Sequence, residues 1–145
     1  MKKVILSMVM LFIAAVSASK VVAQTHGAMM EFAKETHDYG TIKNGADGTC
    51  VFEFKNTGDS VLLITNARGS CGCTVPEWPK EGIAPGATAT IKVSYDTKRT
   101  GPISKSVTIS SNAKNTPEKV IFIKGEVLAP EPVVAPEAPV EPSKN

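Results

Sequence analysis

The sequence predicts an all-β sandwich, and three observations support this prediction. Short segments alternate between apolar and polar residues, as strands with one buried face do. Glycine, proline and asparagine signals separate these segments at roughly 8–14 residues, a spacing typical of a sandwich. No segment beyond residue 23 has helical periodicity of useful length. A chain of 145 residues is long enough for one such domain with its own core.

Residues 1–23 have the layout of a secretory signal peptide. Met1-Lys2-Lys3 precede a largely apolar run from Val4 to Val16, and small residues lead to Ala23. As a helix this run would reach about 20 Å, which is short of the hydrocarbon core of about 30 Å. We therefore expect cleavage after Ala23, with Ala18 as the second choice. The expected product is a periplasmic or extracellular protein without a membrane span in the mature chain.

The charges of the expected mature chain argue against one class of partner. Removing residues 1–23 leaves 16 − 3 = 13 basic residues against 14 acidic ones. The remaining lysines are spread along the chain, which argues against a nucleic-acid partner. Residues 24–30 would form a loose leader before a sandwich domain over residues 31–128.

Alternation predicts the first strands. Asp38–Ile42 is expected to be a short edge strand. Thr49–Lys55 is expected to be half-buried, with Cys50, Phe52 and Phe54 on its inner face. A five-residue hairpin loop, Asn56–Ser60, would then lead into a strand over Val61–Asn66 with Leu62 and Ile64 inward.

The next stretch, Ala67–Gly86, breaks the alternation with four glycines and three prolines and is expected to be a long irregular excursion. It contains two of the three cysteines, Cys71 and Cys73, and the single tryptophan, Trp78. Ala84-Pro85-Gly86 should close it with a type II turn, because proline sets φ and glycine accepts a positive φ.

Three further strands are predicted after this excursion, over Thr88–Asp96, Ser104–Ser111 and Lys119–Lys124. The last is apolar on both faces, as a central strand would be. Residues 129–145 hold five of the ten prolines and are expected to be a disordered, Pro-rich tail.

Five blocks resemble, in order, a bacterial family catalogued as domain of unknown function 1573. They are Asp38-Tyr39-Gly40-Thr41-Ile42, Phe52-Glu53-Phe54-Lys55-Asn56-Thr57-Gly58, Leu63-Ile64-Thr65-Asn66, Cys71-Gly72-Cys73-Thr74 and Ile83-Ala84-Pro85-Gly86. This family is similar to the hydin and major-sperm-protein type of sandwich. The resemblance covers roughly Glu31 to Val127. It implies an exported immunoglobulin-like β-sandwich of about seven antiparallel strands and no particular activity.

The three cysteines allow several pairings. An exported chain can form disulfides, and an odd number leaves at least one cysteine free, ligand-bound or paired between chains. The alternative for Cys50 is a disulfide to Cys71 or Cys73. Closing to Cys71, it would span 71 − 50 + 1 = 22 residues and stabilise by roughly 3.4 kcal/mol. A Cys71–Cys73 bond closes three residues and gives about 1.6 kcal/mol, and it requires Gly72 to bend the chain. We expect Cys71 and Cys73 to bond or jointly hold a metal, with Cys50 a buried free thiol.

Two thiolates also suit Cu(I) or Zn(II), so a copper-binding or thiol-redox protein is the alternative function. The only other soft or imidazole candidates are His37 and the pair Met29-Met30, and none has a diagnostic spacing. Beyond this possibility we expect no cofactor.

An enzyme is not predicted. A catalytic cysteine would need a base and an orienting group, and the adjacent His37 and Asp38 would point to opposite faces of a strand. We predict instead a non-catalytic binding or assembly module with a protein or cell-envelope partner. Val75 and Trp78, on a proline-stiffened loop, are its candidate contact residues. Trp78 could equally plug the end of the sandwich, in which case Trp78→Ala would lower stability instead of leaving the thermal midpoint nearly unchanged.

Overall fold

A computed structural model describes residues 26–130 and residue 132. Over this part of the chain there are eight strands and no helix. The strands are β1 (Met30–Phe32), β2 (Thr36–Ile42), β3 (Thr49–Asn56), β4 (Ile64–Gly69), β5 (Thr74–Glu77), β6 (Thr88–Tyr95), β7 (Gly101–Ser111) and β8 (Glu118–Val127). They form two four-stranded sheets in the orders β1-β3-β6-β5 and β2-β8-β7-β4. The prediction of an all-β sandwich is confirmed.

The core lies between the sheets and follows from the alternation of the sequence. In β3, Phe52 and Phe54 face inward and are 1% exposed, while their neighbours in the strand face solvent. Ile91 of β6 is fully buried beside them, and Ile109 and Ile121 are fully buried in the opposite sheet. Burying each such side chain stabilises the fold by about 1.5–3 kcal/mol. A slip of one residue would turn these side chains to solvent, so their burial fixes the register of the two central pairs, β3 with β6 and β7 with β8.

One strand pair departs from the antiparallel pattern. β2 runs parallel to β8, with Thr36 beside Phe122, so the eight strands include one parallel pair where about seven antiparallel strands were expected. The register shifts between Asp38 and Thr41. There Gly40 has φ +60° and donates its N–H to the Asp38 carboxylate at 2.8 Å. Glycine accepts this left-handed conformation without a Cβ clash.

The predicted hairpin after β3 is wrong, because β3 pairs with β1 and β6 whereas β4 belongs to the other sheet. Asn56 redirects the chain. Its side chain is fully buried, and its amide donates to the carbonyls of Ser60 at 2.8 Å and Ile83 at 2.9 Å. Its carbonyl oxygen accepts the N–H groups of Met29 and Gly58. The local signals Asn, Gly and Asp indicate a turn but not which sheet the next strand joins.

The expected loose leader is partly built into the sandwich. Ala28 is 2% exposed and Met30, in β1, is 3% exposed. The carbonyl of Ala28 accepts the N–H of Lys114 at 2.8 Å, and the side chain of Asn115 bonds both backbone groups of Met30. Residues 28–30 therefore close one edge of the core.

The last strand, β8, is central in its sheet, as predicted, but only one of its faces is buried. Ile121 and Ile123 point into the core, whereas Val120 and Phe122 on the outer face are 37% and 48% exposed.

The turn predicted to close the excursion Ala67–Gly86 is confirmed. Gly86 has φ +77°, and Ala87 donates its N–H to the carbonyl of Ala84 at 3.0 Å, as in a type II turn.

Candidate functional site at the β4–β5 corner

The stretch with the two neighbouring cysteines is more regular than the sequence indicates. β4 continues to Gly69 and β5 begins at Thr74, so the expected irregular excursion contains strand structure at its start and middle. These two strands are edge strands of different sheets at one margin of the sandwich. We call residues 69–78, which join them and include β5, the β4–β5 corner.

Backbone hydrogen bonds anchor the corner on both sides. Ser70 donates its N–H to the carbonyl of Ser106 in β7 at 2.8 Å, and Asp96 donates to the carbonyl of Cys73 at 2.9 Å. Within the corner, the N–H of Thr74 donates to the carbonyl of Cys71 at 3.2 Å. A Cβ on Gly69 would collide with the carbonyl of Thr74, so the two edge strands approach each other more closely than other residues would allow.

Cys71 and Cys73 are joined by a disulfide, with their Cα atoms 5.2 Å apart. Cys71 is partly exposed and Cys73 is 6% exposed, while a side chain at Gly72 would point into open space. The hydroxyl of Thr74 lies 3.6 Å from the Cys71 sulfur and 3.8 Å from the Cys73 sulfur. Of the two predicted arrangements for this pair, the structure contains the disulfide.

The third cysteine takes no part in this site. Cys50 is a free thiol on the inner face of β3 and is 5% exposed. Burial raises the pKa of its thiol above the ordinary value, which keeps it neutral and unreactive near neutral pH. The long bridge that would have acted as a structural staple is not formed.

The short ring also limits what the disulfide contributes to stability. Its sulfurs close a loop of three residues, for which the loop-entropy relation gives about 1.6 kcal/mol. The core and the backbone bonds around the corner are therefore the main source of its order.

Val75 and Trp78 occupy different environments in this corner. Val75 lies on the outer face of β5 and is 55% exposed. Trp78 is partly buried against the core, and its indole N–H is buried without a hydrogen-bond partner. The ammonium of Lys80 covers its ring at 3.1 Å from the ring centre. Val75 is thus the solvent-facing apolar residue of the corner, and Trp78 packs against the core.

The free side of β5 offers few backbone groups to a partner strand. Antiparallel residues alternate between facing the neighbouring strand and facing away. The carbonyl of Cys73 accepts the N–H of Asp96, and Val75 lies beside Ser94, so the backbone groups of Cys73 and Val75 face β6. The backbone groups of Thr74 and Pro76 therefore face away from β6. Pro76 has no N–H, and the N–H of Thr74 is already donated to Cys71. A ligand at this corner would therefore contact side chains more than backbone.

The other candidate metal ligands lie at the opposite margin of the sandwich. His37 is on β2 and Met30 is on β1, the edge strands farthest from β4 and β5 in their sheets. His37 packs edge-on against Tyr39, with ring centres 4.6 Å apart, and burial lowers the pKa of its imidazole. Among the described residues, no three His, Cys, Asp or Glu side chains are grouped to hold a metal ion. A metal at this corner would depend on the two thiols alone.

Thr74 is the site residue that the sequence reasoning passed over. It is 3% exposed, and among the described residues it is the one side chain with its hydroxyl within hydrogen-bonding range of both disulfide sulfurs. The signal was available, since Thr74 directly follows Cys71-Gly72-Cys73. The backbone turn between Cys71 and Thr74 is what brings the Thr74 hydroxyl close to the disulfide, and the sequence alone does not show it.

Solved structures of low sequence identity share the fold. A protein of unknown function from Porphyromonas gingivalis W83 superposes with TM-score 0.62 at 18% identity, covering 75% of this chain and 51% of that one. The seventh PapD-like domain of human CEP192 gives TM-score 0.54 at 10% identity, covering 70% of this chain and 87% of that one. The secreted serine protease VesC from Vibrio cholerae gives TM-score 0.53 at 16% identity, covering 68% of this chain and 23% of the protease.

These similarities establish an immunoglobulin-like sandwich and nothing of activity. The chain spans about half the length of the Porphyromonas protein. No curated protein matches the sequence. Over the described residues, no helix has the length and apolar character needed to cross a membrane. Residues 30–127 match the family described as protein of unknown function (DUF1573), and the chain belongs to this family.

Proposed function

We propose that this protein is an exported, non-catalytic module that binds a protein or cell-envelope partner at the β4–β5 corner. The observation that supports this function best is the exposure of Val75, at 55%, on an edge strand whose backbone is already anchored. An apolar side chain held in a rigid frame can be buried by a partner at low entropic cost.

The surroundings of Val75 suit a protein partner. Val51 of β3, 56% exposed, lies on the same outer face, with β6 between the two valines. The ion pair between Lys92 and Glu77, at 2.8 Å, borders them. Two apolar side chains beside charged groups reproduce on a small scale the apolar centre and polar rim of protein interfaces. Pro76 reduces strand addition at this edge and so favours contact through the outer face.

The non-catalytic part of the proposal has its own support. His37, the imidazole considered as a base, is on β2 at the margin opposite the disulfide and therefore does not lie beside the cysteines. A cysteine nucleophile requires such a base or another activating charge.

Matched variants test the binding function. The full chain, carrying a photo-crosslinker at Glu77, is exposed to an envelope fraction of the source cells, and the crosslinked products are compared with those of Val75→Asp and Val120→Asp. Val120 is an exposed valine of the other sheet and serves as the control. We expect Val75→Asp to lose the specific crosslink and Val120→Asp to keep it, both with unchanged thermal midpoints. Equal crosslinking by all three proteins would contradict a binding role for Val75.

Export is tested separately by N-terminal sequencing of the purified native protein. We expect the chain to begin at Gln24, the residue after Ala23. Recovery of an exported protein with residues 1–23 intact would contradict the cleavage proposed for this chain.

A further inference from the structure

The two cysteines of the corner disulfide differ in their exposure to solvent. Cys71 is partly exposed and is followed by Gly72, where a side chain would point into open space, whereas Cys73 is 6% exposed. Thiol–disulfide exchange requires in-line approach of a thiolate to one sulfur and departure of the other. We propose that Cys71–Cys73 is a thiol–disulfide exchange site for the dithiol of a partner protein, with Cys71 as the sulfur that is attacked.

The corner can open this bond without unfolding. Ser70 and Cys73 are held by backbone bonds to Ser106 and Asp96, and neither bond involves a sulfur atom. Thr74 remains paired with Tyr95 in the β5–β6 register. Reduction therefore removes one short cross-link and leaves the ends of β4 and β5 where they are. A bond whose two states share one backbone can cycle repeatedly.

The exchange balances in two steps. A thiolate of the partner attacks the Cys71 sulfur, forms a mixed disulfide with it and transfers the electron pair of the Cys71–Cys73 bond to the Cys73 sulfur. The partner's second thiolate then attacks its own sulfur in the mixed disulfide and releases Cys71 as a thiolate. The partner's two thiols are oxidised to a disulfide, and Cys71 and Cys73, after taking up two protons, are reduced to thiols. The reverse sequence reduces a partner disulfide.

Thr74 is placed to assist the departure of Cys73. Its buried hydroxyl lies 3.8 Å from that sulfur, within hydrogen-bonding range for sulfur, and can donate a hydrogen bond to it as negative charge develops. Cys73 has little contact with water, so this donor supplies stabilisation that solvent cannot. A leaving sulfur with a better stabilised thiolate departs faster.

Exchange is measured on the full chain purified without reductant. The folded protein is treated with dithiothreitol, a small dithiol, then alkylated and mapped by peptide mass. We expect Cys71 and Cys73 to be modified and Cys50 to remain unmodified, with the β-sheet circular dichroism unchanged. Thr74→Val, which removes the hydroxyl at nearly constant shape, should slow the reduction by about three- to tenfold.

The order of attack is measured in two ways. With oxidised glutathione, Cys73→Ser should acquire a glutathione on Cys71 at least about tenfold faster than Cys71→Ser acquires one on Cys73. In reduced wild-type protein, limiting alkylating agent should modify Cys71 first, so the order can be read even if a variant fails to fold. A disulfide that resists dithiothreitol until urea unfolds the chain would overturn the proposal. Equal reactivity of the two sulfurs would overturn the assignment of Cys71. Neither result bears on partner capture by Val75, which is a separate function.

Discussion

Replacing Asn56 by alanine should destabilise the sandwich more than any surface substitution. The side chain is fully buried and makes four hydrogen bonds, from the N–H groups of Met29 and Gly58 and to the carbonyls of Ser60 and Ile83. Each group left without a partner costs about 1 kcal/mol, so we expect a loss of about 3–4 kcal/mol. For a domain of this size the thermal midpoint should fall by at least about 12 °C.

Asn112 provides a matched control for this measurement. It also bonds two backbone groups, the N–H of Leu63 at 2.8 Å and the carbonyl of Val61 at 3.0 Å, but it is exposed. Water can replace those bonds, so Asn112→Ala should cost less than about 1 kcal/mol. Both values come from urea unfolding followed by circular dichroism. The reasoning fails if Asn56→Ala costs no more than Asn112→Ala.

Three further predictions concern the corner and the acid range. Trp78→Ala should lower the free energy of unfolding by about 2 kcal/mol in urea titrations, because its ring is partly buried against the core. An unchanged midpoint would mean that Trp78 is a surface residue that does not stabilise the core. The double variant Cys71→Ala/Cys73→Ala should lose about 1.6 kcal/mol of unfolding free energy. A loss above about 4 kcal/mol would mean that the disulfide is a main structural cross-link of the domain. The N–H of Gly27, and after it His26, lower the pKa of Asp59 from 3.8. The ionised Asp59 therefore stabilises the fold above pH 3.8, and this contribution to the free energy of unfolding should vanish as pH falls through the lowered pKa. Asp59→Asn should flatten this dependence of stability on acid pH.

Strands with strict alternation could be predicted from the sequence, whereas their partners could not. β3 and β6 were placed within a residue at each end because Cys50, Phe52 and Phe54, and their counterparts in β6, repeat with a period of two. Nothing local shows that β2 would lie beside β8 or that β4 would change sheets after Asn56. Pairing is decided by which buried faces complement each other across long sequence separations.

The composition of the corner located the candidate site, but the irregular conformation predicted for it was wrong. The Cys-Gly-Cys sequence marked the corner, but Pro76 and Pro79 made a strand there look improbable. Proline is accepted in β5 because its missing N–H faces the unpaired side of an edge strand. The partial burial of Trp78 depends on the core residues against which it packs, and no pattern within the corner indicates them.

The parallel pairing of β2 with β8 has a consequence for how the chain acquires its structure. It brings together Thr36 and Phe122, which are 122 − 36 = 86 residues apart, and closing so long a loop adds entropy cost to an already non-local topology. β8 also separates β2 from β7, so their sheet stays divided until residues 118–127 have been synthesised. A chain stopped before Glu118 would expose the unpaired edges of both strands and be prone to aggregation. The sheet that contains β2 and β7 can therefore be completed only after β8, the last strand, has been synthesised.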